Sequence, residues 1–302
     1  MLDGVTGEAT VDYPADAGLR AVLRSLGVPP GALLGHGGEA WVYALDGERV
    51  ARVLHEGTTL AGAGIADRQA LVDELALRGA PFALPQVLDV REVEGRVVVT
   101  ERRLPGRSVL ELLAHAEGHE RDLLVEAYLD AAAALGALHL EPRPWWGELI
   151  GRAPLRAPAW PGYLERRAEA SLAAAGGGFA RVDAGALADA LPDASAPAFV
   201  HLDAFAGNVL AAGSTITAVI DVGVTSVVGD ARLDPVSAVV YLSSAEITPV
   251  ATPRDVDVAE AWLRAAGLDA LLEPARRWLA AYWAFAADDV TLHRWCRSTL
   301  LE

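Results

Sequence analysis

Strand-forming and helix-forming segments are segregated along this chain, and the change falls at Pro105-Gly106. Residues 30–57 hold the β-prone run AWVYAL, an Asp46-Gly47 turn and then RVARVL, which is hairpin material. QVLDV and RVVVTERRL flank Glu94-Gly95 as two more strands, and between the pairs ADRQALVDELALRG spaces Ala70, Leu71 and Leu75 for one buried helix face, with Gly79 as its stop. Beyond Pro105-Gly106 the chain reads as helix after helix, apart from one short hairpin near residue 210. Strands in one part and helices in another define an α+β protein. At 302 residues the chain exceeds the usual size of a single core, so two lobes are expected: 1–103, rich in strand, and 104–302, mainly helical.

Composition narrows the function classes. Hydrophobic residues at 52% and charged residues at 22% give a chain able to bury a core. A net charge of −16 argues against a nucleic-acid partner, which calls for a basic face. It suits a cationic small molecule, although solubility alone accounts for such a charge. No apolar run reaches the roughly 18–20 residues that cross a bilayer. The first residues, MLDGVTGEATVDYPADAG, lack the basic start and apolar run of a secretory signal, and the single Cys296 excludes an internal disulfide. A cytoplasmic protein with no membrane partner is expected.

The most informative stretch is FVHLDAFAGNVLAAGSTITAVIDVG, residues 199–223. Val209 to Ala212 and Thr215 to Ile220 read as strands joined at Gly213-Ser214, which suits a two-residue turn with glycine first. Asn208 and Asp221 then stand at the open end of the hairpin. Two oxygen-bearing side chains held there suit a hard cation such as Mg²⁺. Asp203, on the entering loop, is placed to take a proton from a hydroxyl, and His201 to brace the loop from within. A base for a nucleophile together with metal ligands for phosphates is what phosphoryl transfer demands. Each residue alone has a simpler account: a core histidine, a turn asparagine, a capping aspartate. Together and in this order they form H-x-D-x-x-x-x-N followed by IDVG.

Upstream, Gly35, Gly37 and Gly38 precede the strand AWVYAL, and glycines let backbone amides approach phosphates closely. Arg52 in VARV stands where protein kinases carry the lysine of the third strand, and a guanidinium there binds phosphate oxygens bidentately.

On these blocks the chain resembles the aminoglycoside phosphotransferase family, small-molecule kinases with the protein-kinase fold that include macrolide phosphotransferases. The family's H-G-D-x-x-P-G-N, I-D-W/F-G and G-D-P-x-x-D are matched by HLDAFAGN, IDVG and GDARLD, in order and spacing. The resemblance implies a protein-kinase-like bilobal fold. It implies Asp203 as catalytic base, Asn208 and Asp221 as Mg²⁺ ligands, and Arg52 with the glycine loop on the phosphates of ATP or GTP. It also implies a hinge at Glu101, Arg102 and Arg103 that meets the purine. Asp230 and Asp234 stand as scaffolding, with Asp230 tying the catalytic loop. Leu202, Ala204 and Ala206 replace commoner loop residues, Val222 replaces an aromatic, and the acid that pairs with the third-strand cation is left among Asp67, Asp73 and Glu74.

The implied reaction is transfer of a γ-phosphate to the hydroxyl of a small-molecule acceptor, an aminoglycoside or macrolide antibiotic. Metabolic kinases of the choline, homoserine, methylthioribose or fructosamine type share the fold, as does a silent nucleotide-binding module. Acceptor choice rests in the helical lobe, where Asp288 and Asp289 offer acids to a polyamine. Tryptophans 145, 146, 160, 278, 283 and 295 offer a pocket floor or a core.

Overall fold

The structure, a computed structural model, describes residues 16–56 and 63–302. The expectation about a signal segment falls on residues 1–15 and so lies outside the described residues. The chain divides into two compact units, Met1–Ile65 with Gln86–Arg103, and Ala66–Pro85 with Leu104–Glu302.

The first unit opens on a helix, α1 (Ala17–Leu26), that the chain marks at both ends. The Asp16 side chain accepts from the Leu19 amide at its start, and Gly27 takes φ 66° at its stop, where Val28 N–H returns to Leu23 O. Strands β1 (Leu33–His36), β2 (Ala40–Ala44), β3 (Arg49–Leu54), β4 (Val87–Val93) and β5 (Arg96–Arg102) form an antiparallel sheet in the order β1-β2-β3-β5-β4. Asp46 shapes the β2–β3 turn by accepting the Glu48 and Arg49 amides. Glu94 and Gly95, at φ 51° and 76°, supply the two positive angles of a tight β4–β5 hairpin. One sheet face buries Tyr43, Ala51, Val53 and Val98 against Leu19, Val22 and Leu23 of α1. The other carries Ala40, Leu54 and Val99 with Ile65. Strand alternation puts Arg52 on this second face. Arg96, 8% exposed, meets the Asp16 carboxylate at 2.5 Å and ties β5 to the start of α1.

The helix after β3, α2 (Ala63–Leu77), runs from one unit into the other. From Ala66 on it belongs to the second unit, because Leu71, Val72 and Leu75 are buried in that unit's core and Glu74 pairs with Arg143 at 2.7 Å. The loop that follows is fixed by exchange of backbone bonds between Ala83 and the pair Thr217 and Val219.

The second unit then runs β6 (Arg107–Ser108), α3 (Val109–Leu113), α4 (Gly118–Gly136), β7 (Trp146–Glu148), β8 (Arg156–Ala157), α5 (Trp160–Ala174), α6 (Ala184–Asp189), β9 (Ala198–Val200), β10 (Val209–Ala212), β11 (Thr215–Val219), β12 (Val227–Gly229), α7 (Leu233–Leu242), α8 (Pro253–Ala265), α9 (Leu272–Trp283) and α10 (Val290–Leu301). Two small sheets, β11-β10-β6 and β8-β7-β12-β9, accompany the helices. All of α7 is buried, as its nearly continuous apolar run LDPVSAVVYL requires. Its entry is set by contact between backbones: a Cβ on Gly136, at the end of α4, would fall 2.4 Å from Ala231 O in the turn before α7. Among the described residues no helix is long and apolar enough to cross a membrane.

One polar pair fastens this unit. Arg121 on α4 grips Asp255 through two bonds of 2.7 Å and also donates to the carbonyls of Leu113, Ala116 and Val250. Asp255, fully buried, closes a capping box with Thr252 at the start of α8. Removing one partner of such a pair leaves the other charge buried and uncompensated. Arg121→Ala is therefore expected to cost about 3 kcal/mol or more in equilibrium urea denaturation, and Arg254→Ala, an exposed arginine paired with Asp122, to leave the urea midpoint close to that of the wild type.

Candidate active site

Eight residues, His201 to Asn208, join β9 to β10 without regular structure, so their backbone groups must find partners elsewhere. The first two amides go to one carboxylate: Asp234, in the first turn of α7, accepts His201 N–H at 2.8 Å and Leu202 N–H at 2.9 Å. Two buried tyrosines take carbonyls, Tyr241 from α7 donating to Leu202 O at 2.6 Å and Tyr128 from α4 to Ala204 O at 2.9 Å. Trp283 holds Tyr241 in turn, its indole N–H donating to the Tyr241 hydroxyl at 2.8 Å. Asp230, expected to tie this loop, instead binds its neighbour Arg232. Its place is taken by Asp234, four residues on and inside the first turn of α7.

His201 connects the loop to the far strand. The Asp203 amide donates to its Nδ1 at 3.2 Å, which fixes Nδ1 as the acceptor, so Nε2 carries the proton and donates to Ile220 O at 3.1 Å. Burial holds the imidazole below its ordinary pKa, consistent with this neutral form. The residue is a brace, as expected.

The hairpin that follows is closed by Ile220 N–H on Asn208 O, and its turn has Gly213 at φ 61°. Asn208 and Asp221 therefore flank its open end. The Asn208 amide nitrogen donates twice to Asp203, to the carbonyl at 2.9 Å and to the carboxylate at 3.1 Å. Asp203, half-buried, is pushed well above the usual carboxylate range by burial and then by the charge of Asp221, with Asn208 pulling the other way. The structure thus gathers Asp203, Asn208 and Asp221. Leu202 and Asp221 both adopt left-handed φ, 63° and 62°. Leu202, fully buried, fills the position where the motif usually has glycine, and this explains that glycine: the site asks for a backbone angle. Val222, in place of an aromatic, is fully buried in the core.

The donor set fits Mg²⁺. It is all oxygen, and the Asn208 nitrogen is turned to Asp203, which leaves the amide oxygen for a cation beside the Asp221 carboxylate. Among the described residues no group of three or more His, Cys, Asp and Glu could hold a metal ion.

The other expected residues lie in the first unit. Gly35 is in β1, and Gly37 and Gly38 form the turn to β2, where Gly37 N–H reaches Ala40 O at 3.0 Å and its carbonyl meets His55 Nε2 at 2.8 Å. A Cβ on Gly35, Gly37 or Gly38 would meet nothing within 4 Å, and none of the three has positive φ. Arg52 sits in β3, between Val42 and Val99. Glu101 is buried in β5, and the amides of Arg102 and Arg103 already donate to Gln86 O and Glu48 O. Of the acids left open as partners of Arg52, Glu74 binds Arg143 and the Glu141 amide, and Asp73 accepts from Gln69.

With this geometry in hand, the family assignment follows from the sequence match: the phosphotransferase enzyme family matches residues 32–282. The chain belongs to that family. No curated protein matches this phosphotransferase in sequence. Its fold is that of solved aminoglycoside phosphotransferases. The gentamicin complex of APH(2")-IIa superposes with TM-score 0.60 at 13% identity, covering 96% of this chain and 98% of the other. An aminoglycoside-3'-phosphotransferase of type VIII gives 0.56 at 20% identity, covering 88% and 100%. APH(3'')-Id from Streptomyces rimosus, in complex with ADP and streptomycin, gives 0.53 at 16%, covering 88% and 97%. The α+β, protein-kinase-like reading of the sequence is thereby borne out.

Asp234 generates a test with a defined sign. Burial lifts its carboxyl from 3.8 to about 7, against two amides that favour the ionised form. The folded phosphotransferase then holds a proton that the unfolded chain releases, so this group's contribution to stability is full below pH 4 and is lost as the pH rises through 7. Asp234→Asn sets an amide N–H₂ against one of the two donors and should cost about 1–3 kcal/mol. That cost should be largest near pH 4 and shrink by up to about 1.4 kcal/mol per pH unit toward pH 7, read by urea denaturation of both proteins across this range.

Proposed function

We propose that this phosphotransferase moves the γ-phosphate of ATP or GTP to a hydroxyl of a small molecule, with Asp203, Asn208 and Asp221 as its chemical centre. The observation that carries the reading is the pair of hydrogen bonds that the Asn208 amide nitrogen donates to the carbonyl and carboxylate of Asp203, beside Asp221, at the open end of one hairpin. Asp203 orients the acceptor hydroxyl and takes its proton as the oxygen bonds to the γ-phosphorus and the bond to the β-phosphate oxygen breaks, releasing the nucleoside diphosphate. Its raised proton affinity suits a group that must receive a proton and return it to solvent. Mg²⁺, held by Asn208 and Asp221, supplies charge compensation on the phosphates when bound.

The nucleotide is assigned to the glycine loop and Arg52. Neither backbone angle nor crowding asks for glycine at 35, 37 or 38, and the lack of a Cβ there lets a phosphate approach the backbone closely; the Gly37 amide itself is already engaged by Ala40 O. Arg52 adds a permanent cation for phosphate oxygens. The purine is assigned to the strand end Glu101–Arg103, read by groups other than the two amides already engaged there. The similarity to structures solved with gentamicin, or with ADP and streptomycin, supports an aminoglycoside as the acceptor, with a macrolide as the alternative that the sequence resemblance leaves open.

Asp203→Ala is expected to lower acceptor-stimulated ADP release about a thousandfold while MgADP affinity, measured by calorimetry, stays within about threefold. Turnover at the wild-type rate would remove Asp203 from the chemistry. Asp221→Asn should instead raise the Mg²⁺ concentration needed for half-maximal rate by at least about tenfold.

A further inference from the structure

The peptide plane that enters Asp203 is held at both ends. Its carbonyl, from Leu202, accepts the Tyr241 hydroxyl at 2.6 Å, and its N–H, from Asp203, donates to His201 Nδ1 at 3.2 Å. His201 belongs to the same loop, so Tyr241 is the hold that ties this plane to the packed helix α7. The Tyr241 hydroxyl is aimed in turn by the Trp283 indole N–H at 2.8 Å. The indole has little freedom of its own: Tyr282 meets it edge-on with centroids 5.0 Å apart, and Phe285 stacks on it at 5.8 Å.

This hold matters because of Leu202. Its φ of 63° is an angle that an L-residue leaves readily and glycine does not, and leucine stands here where the motif usually has glycine. A return of Leu202 to negative φ reorients the plane that follows it, which takes the Asp203 amide off His201 and swings the carboxylate away from Asn208. Asp234 holds the Leu202 amide, in the plane before the rotating bond, and so does not resist this motion. Tyr241 holds the plane after it and does. Packing of the buried Leu202 side chain also opposes the rotation, without setting the direction of the carbonyl. Burial, with the charge of Asp203 adding to it, keeps the Tyr241 phenol well above its ordinary pKa, so it stays a donor across the neutral range.

We propose that Tyr241 and Trp283 are positioning residues for phosphoryl transfer, which hold Leu202 at its left-handed angle and thereby aim Asp203. The proposal rests on the reading of Asp203 given above and adds two residues that act through the loop backbone. They set the rate of transfer and leave nucleotide binding alone.

Two measurements on the wild-type chain, Tyr241→Phe and Trp283→Phe test this. The first is ADP release from MgATP with gentamicin or streptomycin as acceptor. kcat is expected to fall about ten- to a hundredfold in Tyr241→Phe, and less in Trp283→Phe, which leaves the Tyr241 hydroxyl in place, while KM for MgATP stays within about twofold in both. In a Leu202→Gly background the loss from Tyr241→Phe should shrink to about threefold or less, because glycine keeps a positive φ unaided. The second measurement, made without nucleotide or acceptor, is amide hydrogen exchange. The Asp203 amide should exchange at least about tenfold faster in Tyr241→Phe, with the amides of α9 unchanged. Wild-type kcat in Tyr241→Phe, an undiminished loss in the Leu202→Gly background, or an Asp203 amide that exchanges at the wild-type rate overturns the proposal. Faster exchange throughout α7 and α9, or a KM for MgATP that rises as kcat falls, overturns it as well, since either assigns the two residues to the fold at large. A wild-type chain that releases no ADP with either probe sinks the acceptor reading alone, and the exchange rates then decide the positioning by the same criteria.

Discussion

A buried carboxylate that accepts two consecutive backbone amides organises the β9–β10 loop of the second unit. Asp234 is fully buried at the start of α7, and its bonds to His201 and Leu202 fix the direction in which the loop leaves β9. Only with that direction set do the tyrosine hydroxyls meet the Leu202 and Ala204 carbonyls, and only then does His201 point its two nitrogens at Asp203 and Ile220. The loop has no ladder of its own, so its backbone groups are satisfied one by one: Asp234, Tyr241 and Tyr128 from packed helices serve His201, Leu202 and Ala204, and the side chains of His201 and Asn208 serve Asp203. The unit has to be helical and well filled because a site of this kind borrows its rigidity.

Two strained angles follow from the same constraint. Leu202 and Asp221 sit at left-handed φ, a conformation that costs an L-residue about 1–2 kcal/mol. The Leu202 side chain is recovered as core burial and its amide and carbonyl as hydrogen bonds, which offsets the strain. Asp221 lies just after a strand end, where the turned backbone carries its carboxylate beside Asp203. Placing two carboxylates together raises the proton affinity of Asp203, and a cation beside Asp221 is the natural means of tuning it.

The parts of this arrangement that depend on neighbours in sequence were legible. The Gly213-Ser214 turn marked the hairpin, the hairpin placed Asn208 and Asp221 at one end, and the spacing to Asp203 suggested a shared task. The parts that depend on distant packing were not. Asp234 serves amides 32 and 33 positions away, Tyr128 reaches across 76 residues and Trp283 acts on Tyr241 from 42 residues downstream; none carries a local signature. The assignment of loop-tying to Asp230 failed for this reason, since two acids four apart look alike in sequence, and only packing of α7 buries Asp234 against the loop while Asp230 stays in the turn before the helix and binds Arg232. α1 is a different case, because Asp16, the spacing of Leu19, Val22 and Leu23, and Gly27 were all present as signals. The engagement of the Arg102 and Arg103 amides depends on sheet register, which the sequence pattern left open.

The central claim is that Asp221 and Asn208 bind one hard cation while Asp203 stays available to a hydroxyl. A crystal grown with Mn²⁺ and a non-hydrolysable ATP analogue tests it by anomalous scattering. The account predicts a peak about 2.1–2.2 Å from both the Asp221 carboxylate and the Asn208 amide oxygen, with the Asn208 nitrogen still on Asp203. A metal held elsewhere, or one ligated by Asp203 in place of Asn208, would contradict it.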